Sequence, residues 1–125
     1  MYKLVKALKA LSDNVRLRII NLLLQRECCV CEVMQALRIS QTRASRNLNM
    51  LYDAGFLKLR KEGLWSYYSV DKANVERYLS LLTEAVEDGL KSDEDTEKDK
   101  QRLNEAPPMG PGCCRLGSIL NIKKN

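Results

Sequence analysis

Hydrophobic residues recur at helical spacing along most of the first 90 residues, and the stripes that they form predict five helices. Three of these predicted helices are preceded by residues that commonly cap helix N-termini. They are Ser12 and Asp13 before the second helix, Ser40 before the fourth and Asp71 before the fifth. Gly55 follows the fourth stripe and is expected to end that helix. The predicted helices cover residues 2–11, 13–25, 30–37, 40–54 and 71–90.

Between the fourth and fifth predicted helices the period of the pattern changes to two. Residues 56–60 alternate in polarity, and residues 64–70 are rich in aromatic and β-branched side chains. The connection Lys61-Glu62-Gly63 is short and contains a glycine. The two runs therefore predict a β-hairpin.

From Lys91 onward the apolar periodicity stops. Charged residues are followed by the run Ala-Pro-Pro-Met-Gly-Pro-Gly at residues 106–112, a composition typical of disordered segments. We therefore expect a folded domain over residues 1–90 and a flexible, mostly disordered C-terminal tail over residues 91–125.

The order of these elements is helix, helix, short helix, polar-faced helix, hairpin and helix. It predicts an α+β fold that is mostly α, a winged helix-turn-helix in which the polar-faced helix reads DNA. The first and last helices carry more apolar residues than a domain of this size can enclose, so we expect them to form a homodimer interface. A two-fold dimer presents two reading helices to successive major grooves.

The charge distribution supports binding to double-stranded operator DNA. The chain has a net charge of +5, and residues 38–61 hold six basic residues against Asp53 alone. The fourth predicted helix places Ala44, Leu48 and Leu51 on one apolar side. Its polar side and the hairpin supply the candidate DNA-binding residues, which are Gln41, Thr42, Arg43, Ser45, Arg46, Asn49, Arg60, Lys61 and Trp65.

The composition excludes several classes of protein. Because the chain has no histidine, it cannot form Ser-His-Asp or Cys-His catalytic sites or a His-containing zinc site, and we do not expect an enzyme. No apolar run reaches the length of a transmembrane helix, and residues 1–9 do not resemble a signal peptide. The expected location is the cytoplasm, where thiols stay reduced, so the five cysteines require an explanation other than disulfides.

Four segments carry a resemblance to a known family: residues 11–19, 27–33, 40–48 and 60–68, of which the second reads Glu-Cys-Cys-Val-Cys-Glu-Val. Over about residues 4–88 they resemble the ArsR/SmtB family of bacterial metal-sensing repressors. The second segment is most similar to the arsenite-sensing branch. The resemblance implies a dimeric winged helix that is released from its operator when As(III) or Sb(III) binds as inducer, with no organic cofactor.

In the arsenite-sensing branch three thiolates come from the segment that contains Cys-Val-Cys, and the resemblance places the first two at Cys29 and Cys31. The third position falls on Met34, whose thioether does not replace an anionic sulfur. Either the adjacent cysteine or a pair in the tail is available instead, and ordering the tail costs about 1–2 kcal/mol for each residue fixed. The favoured metal ligands are therefore Cys28, Cys29 and Cys31, with Cys113 and Cys114 as tail candidates.

The position of these cysteines predicts a switch. In an undistorted helix Cys29 and Cys31 point about 200° apart, so an ion that binds both must unwind or bend the start of the third helix. That helix directly precedes the reading helix, so its distortion favours a form that does not dock on DNA. We also expect the helix N-terminus to lower the thiol pKa values. Thiolate ligands select thiophilic ions such as As(III), Sb(III), Cd(II) or Pb(II).

Two alternative functions stay open. A Cd(II)- or Pb(II)-responsive repressor of the same family would add Cys113 and Cys114 to form a four-sulfur site. A repressor that senses oxidants or sulfide would use a disulfide between Cys28 and Cys31 to unwind the helix. A thiol oxidoreductase, the enzyme interpretation of Cys-x-x-Cys, lacks the βαβ context that the motif requires.

Overall fold

The computed structural model of the protein describes residues 1–73 and 76–105. In chain order the elements are α1 (Tyr2–Leu11), α2 (Asn14–Gln25), β1 (Cys28–Cys29), α3 (Val30–Leu37), α4 (Gln41–Asp53), β2 (Leu57–Glu62), β3 (Trp65–Val70), α5 (Arg77–Gly89) and α6 (Glu94–Glu105). The pair α3–α4 forms a helix-turn-helix and the hairpin β2–β3 forms the wing, which confirms the predicted fold class. Within the described ranges, no helix is long and apolar enough to cross a membrane.

Local capping explains where α2 and α4 begin. The Asp13 carboxylate accepts a hydrogen bond from the backbone N–H of Arg16 at 3.0 Å, and the Ser40 hydroxyl oxygen accepts one from the N–H of Arg43 at 3.2 Å. After the last residue of α3, Arg38 adopts a left-handed conformation with φ of 57° and closes that helix. The predicted bounds of α1 to α4 are confirmed to within one residue.

The predicted start of the last helix of the domain is wrong. Asp71 was expected to cap it, but α5 begins at Arg77. The Asp71 N–H instead donates to the carbonyl of Phe56 at 3.0 Å, which continues the pairing of the hairpin beyond β3. The backbone of Asp71 is therefore paired with the wing sheet at the position where the helix was expected to begin.

The hairpin is confirmed, and it gains a third strand that the sequence did not predict. The strand order is β1-β3-β2, with both pairs antiparallel. The register pairs Cys28 with Tyr68 and Cys29 with Tyr67. The cysteine segment is therefore part of the wing sheet as well as the entry to α3.

The prediction of disorder from Lys91 onward is wrong for residues 94–105, which form α6 and pack against α2 and α3. Leu103 is buried, but most of the anchoring is polar. The Asp99 side chain, 1% exposed, accepts hydrogen bonds from the guanidinium groups of Arg18 and Arg102, each at a shortest distance of 2.7 Å. Because paired charges make up most of the contact between α6 and the rest of the domain, α6 needs few apolar residues. The hydropathy pattern of residues 94–105 therefore did not indicate a helix. Residues 106–125 lie outside the described residues.

The same arginines bind the C-terminal end of α3. Arg102 donates from Nε to the carbonyl of Ala36 at 2.6 Å, and Arg18 donates to the carbonyl of Leu37 at 3.3 Å. Cations at a helix C-terminus satisfy its last carbonyls and stabilise the helix dipole. The hydrogen bond with Asp99 also raises the pKa of Arg18. α6 therefore fixes the C-terminal end of α3.

The outer faces of α1 and α5 expose apolar side chains. Leu4, Val5 and Leu8 are each at least 40% exposed on α1, whose inward face consists of Ala7 and Ala10. α5 contributes the exposed Leu81 and buries only Leu79 fully. This matches the expectation that the terminal helices of the domain have more apolar surface than the other described residues cover.

Candidate nucleic-acid interface and cysteine site

The solvent face of α4 carries the predicted reading residues. Ala44, Leu48 and Leu51 pack inward as expected. Of the predicted reading residues on α4, Ser45 is half-buried. The remaining five are exposed on the side opposite the apolar residues: Gln41, Thr42, Arg43, Arg46 and Asn49. Hydrogen-bond donors and acceptors near a helix N-terminus suit contacts with phosphates and base edges in a major groove.

The wing places its three predicted DNA-binding residues in different surroundings. Lys61 is exposed and Trp65 is half-buried. The Arg60 guanidinium instead lies between two carboxylates, at 2.7 Å from Glu27 and 3.1 Å from Glu62. These hydrogen bonds raise the pKa of Arg60, and its hydrogen bond lowers the pKa of Glu27. Arg60 is thus engaged within the protein in this structure.

Arg16 is a positioning side chain that the sequence analysis missed. It donates from Nε to the carbonyl of Ala10 at 2.6 Å and from Nη1 to the Asn47 side-chain oxygen at 2.9 Å. It therefore connects the end of α1 to the buried side of α4. The signal available in the sequence was an arginine within a helix otherwise rich in apolar residues.

The candidate thiols lie at the junction of β1 and α3. Cys28 and Cys29 are free and buried, at 0% and 1% exposed, whereas Cys31, which is half-buried in the first turn of α3, is disulfide-bonded in this structure. The expectation that the cysteines are not used in disulfides is therefore wrong for Cys31. The Cys28 thiol lies 3.6 Å from the carbonyl oxygen of Arg26. Cysteines that only pack in a core, as small hydrophobic residues, are buried to the same extent, so burial alone does not identify Cys28 and Cys29 as metal ligands.

Cys29 is the N-cap of α3 and shares a capping box with Glu32. Its sulfur accepts from the Glu32 N–H, and its own N–H donates to the Glu32 carboxylate at 2.9 Å. The other carboxylate oxygen of Glu32 pairs with Arg26 at 2.8 Å. The start of α3 is therefore held by contacts that use the backbone and the sulfur of Cys29.

Burial raises the pKa of the Cys28 thiol to about 12 and that of Cys29 to about 11. The expectation that the helix N-terminus lowers the pKa values of these two thiols is wrong. Desolvation raises both pKa values by more than the helix dipole lowers them, and the nearby negative charge of Glu32 raises them further. Both thiols are therefore protonated at neutral pH in this conformation.

The predicted ligands do not converge in this conformation. Among residues 1–73 and 76–105, no three His, Cys, Asp or Glu side chains lie close enough together to hold a metal ion. Successive residues of a strand point to opposite faces, which separates Cys28 from Cys29. Met34 is half-buried on α3. The tail candidates Cys113 and Cys114 lie outside the described residues.

Comparison with known proteins connects this geometry to regulators of transcription. The family model described as bacterial regulatory protein, arsR family, matches residues 13–59. The arsenic resistance transcriptional regulator ArsR1 of Pseudomonas putida is 36% identical over 110 residues, which is 85% of this chain and 83% of the relative. The cadmium resistance regulatory protein CadC homolog of Staphylococcus aureus is 42% identical over 73 residues, which is 58% of this chain and 60% of the relative.

A solved structure shares the architecture. It is the homodimeric winged helix-turn-helix DNA-binding domain of Mb0332 from Mycobacterium bovis, described as a possible ArsR-family transcriptional regulator. The match has a TM-score of 0.59 at 28% identity and covers 74% of this chain and 82% of that one.

Proposed function

We propose that this chain, which belongs to the ArsR family of bacterial regulatory proteins, is a repressor released from operator DNA when As(III) or Sb(III) binds its cysteine thiols. As a member of that family it is a transcription regulator that binds DNA and is not an enzyme. The observation that carries the proposal is the position of Cys28, Cys29 and Cys31, which stand at the entry to α3 directly before the reading helix. An operator-binding repressor acts where the DNA is, in the cytoplasm.

The DNA-bound form is a homodimer in this proposal. The exposed apolar residues of α1 and α5 supply a surface for a second copy, and a two-fold axis sets two α4 helices one helical turn of DNA apart. The exposed face of α4 then reads base edges while Lys61 and Trp65 of the wing contact the backbone or the minor groove.

The inducer chemistry suits protonated thiols. Arsenous acid carries three hydroxyl groups on arsenic, and condensation with three thiols forms three As–S bonds and releases three waters. No net proton is released, so raised thiol pKa values do not oppose the overall reaction. We assign the three sulfurs to Cys28, Cys29 and Cys31, since they lie within four residues of one another. Cys31 takes part as a free thiol, so its disulfide must first be reduced by a thiol reductant, which is itself oxidised to a disulfide.

Coupling follows from the capping box. Cys28, Cys29 and Cys31 point in different directions in this conformation, so an ion shared by all three must displace Cys29 from the N-cap position in which it contacts Glu32. The start of α3 then unwinds, and because α3 packs against α4 in the resting structure, the change is passed to the reading helix. A ligand that binds the altered form better than the DNA-bound form lowers operator affinity by that difference.

The test is fluorescence anisotropy of a labelled operator fragment taken from upstream of the protein's own gene, titrated with arsenite, antimonite, Cd(II) and Pb(II). Cys29→Ser and Cys31→Ser should keep operator affinity within about threefold and abolish release by arsenite. Met34→Leu, a change of similar volume on the same helix, should respond like the wild type. Removal of residues 106–125 should leave the response intact, and its loss in that variant would refute the assignment to Cys28, Cys29 and Cys31.

A second candidate inducer is Cd(II) or Pb(II), favoured by the similarity to the cadmium resistance regulatory protein. In that case Cd(II) would release the operator at far lower concentration than arsenite, and the tail cysteines would be required. Release by an oxidant, reversed by a dithiol reductant, would instead indicate a thiol-redox or sulfide sensor.

A further inference from the structure

We infer that Arg60 is a positioning residue: through its ion pair with Glu27 it ties the cysteine segment to the wing, so that capture of a thiophilic ion also moves the wing. The inference rests on the proposed function and extends it from α4 to the second DNA-contacting element. It assigns to Arg60 a role inside the protein in place of a contact with DNA phosphate.

The first observation is a row of side chains across the sheet. β1 pairs Cys29 with Tyr67, and β2 pairs Arg60 with the same Tyr67. Directly opposed residues of antiparallel strands point to the same face, so Tyr67 lies between the thiol and the guanidinium. The Arg60 guanidinium stacks over the Tyr67 ring at 4.6 Å from its centroid.

The second observation is the geometry of the ion pair. Arg60 donates from Nη2 to one Glu27 oxygen at 2.7 Å and from Nε to the other at 3.3 Å, a two-point contact that fixes direction as well as distance. Glu27 immediately precedes β1, so its backbone moves with the cysteines. Both side chains are about half exposed, where an ion pair adds little stability, and its main consequence is geometric.

The third observation is the second carboxylate. Glu62 also accepts from Arg60 at 3.1 Å, so two negative charges surround one positive group. A guanidinium in these surroundings gives a DNA phosphate little attraction, whereas the exposed Lys61 beside it is well placed for one. When the three sulfurs gather on an ion, β1 must leave its register with β3, and Glu27 carries Arg60 and the wing along.

The test uses the full-length protein and Trp65, the single tryptophan of the chain, which pairs with Glu62 on the wing. Arsenite is added without DNA to protein whose Cys31 disulfide has first been reduced, while ultraviolet absorbance follows As–S bonds and tryptophan emission follows the wing. Glu27→Gln should bind arsenite within about threefold of the wild type but lose most of the emission change. Arsenite-induced release from the operator should weaken about tenfold in this variant. Glu62→Gln, which removes the other carboxylate, is the matched control and should respond like the wild type.

Two further variants test whether Arg60 acts through its ion pair with Glu27 or through a contact with DNA. The double charge swap Glu27→Arg with Arg60→Glu should restore the emission change and the release. Arg60→Gln should leave the salt dependence of operator binding unchanged, whereas Lys61→Gln should reduce its slope by about one. The inference would be overturned, and the proposed function left standing, if Glu27→Gln behaved like the wild type. The same holds if Arg60→Gln reduced the salt dependence of operator binding as Lys61→Gln does. Absence of As–S absorbance in the wild type would instead refute the proposed inducer, and the inference with it.

Discussion

Replacement of Asp99 by asparagine removes the charge that holds α6 against α2 and α3. The Asp99 side chain is 1% exposed, while its partners Arg18 and Arg102 are 25% and 22% exposed. Breaking a buried ion pair from one side costs about 3–5 kcal/mol because the remaining charge is left unpaired. Since both arginines retain some access to water, we expect the free energy of unfolding to fall by about 2–4 kcal/mol.

Urea denaturation followed by circular dichroism, at one fixed protomer concentration, measures this loss. Glu97→Gln on the same helix is the matched control, because the Glu97 carboxylate forms only an exposed pair with Lys100 and should change stability by less than about 0.5 kcal/mol. If Asp99→Asn detaches α6 in the folded state, the denaturant slope should also decrease, because less surface remains to be exposed.

The reasoning would be refuted by a loss below about 1 kcal/mol together with unchanged amide exchange protection of α6. That result would mean that Leu103 and the helix backbone hold α6 without the charges. A loss in the expected range with normal operator binding would show that α6 stabilises α3 without contacting DNA.

Three more predictions follow from the structure. Gly55→Ala should destabilise the fold by about 1–3 kcal/mol in urea denaturation, because φ is +98° and the added Cβ would lie 2.8 Å from Leu79 Cδ1; a neutral effect would contradict this packing. Because burial raises the Cys28 and Cys29 pKa values, the folded state keeps protons that the unfolded state loses above pH about 9, so the free energy of unfolding should fall between pH 9 and 11. This fall should be smaller in Cys28→Ala, and equal slopes would argue against it. Arg46→Ala should weaken operator binding about tenfold or more in anisotropy titrations without changing the arsenite stoichiometry, and unchanged affinity would remove Arg46 from the reading face.

Features set by neighbouring residues could be predicted from the sequence. Asp13 and Ser40 cap their helices through bonds to residues three positions ahead, and the apolar period of α4 placed its polar face in solvent. The helix-turn-helix and the hairpin were therefore predicted with nearly correct bounds.

Features that depend on distant partners could not be predicted. Asp99 and Arg18 are 81 residues apart in sequence, and nothing in the local composition of α6 indicates their contact. β1 has only two residues, too few for an alternating pattern. The thiol pKa values were predicted in the wrong direction, because the burial of Cys28 and Cys29 arises from tertiary packing that the segment itself does not encode.

The capping box at Cys29 has a consequence for sensitivity. In the proposed switch the Cys29 sulfur leaves the helix cap to bind the ion, so a stronger resting contact with Glu32 raises the concentration of effector needed for half-maximal response. A helix cap is worth about 1 kcal/mol, which corresponds to about fivefold in that concentration. Changes at Glu32 would therefore shift the detection threshold of the switch without altering the groups that recognise the ion.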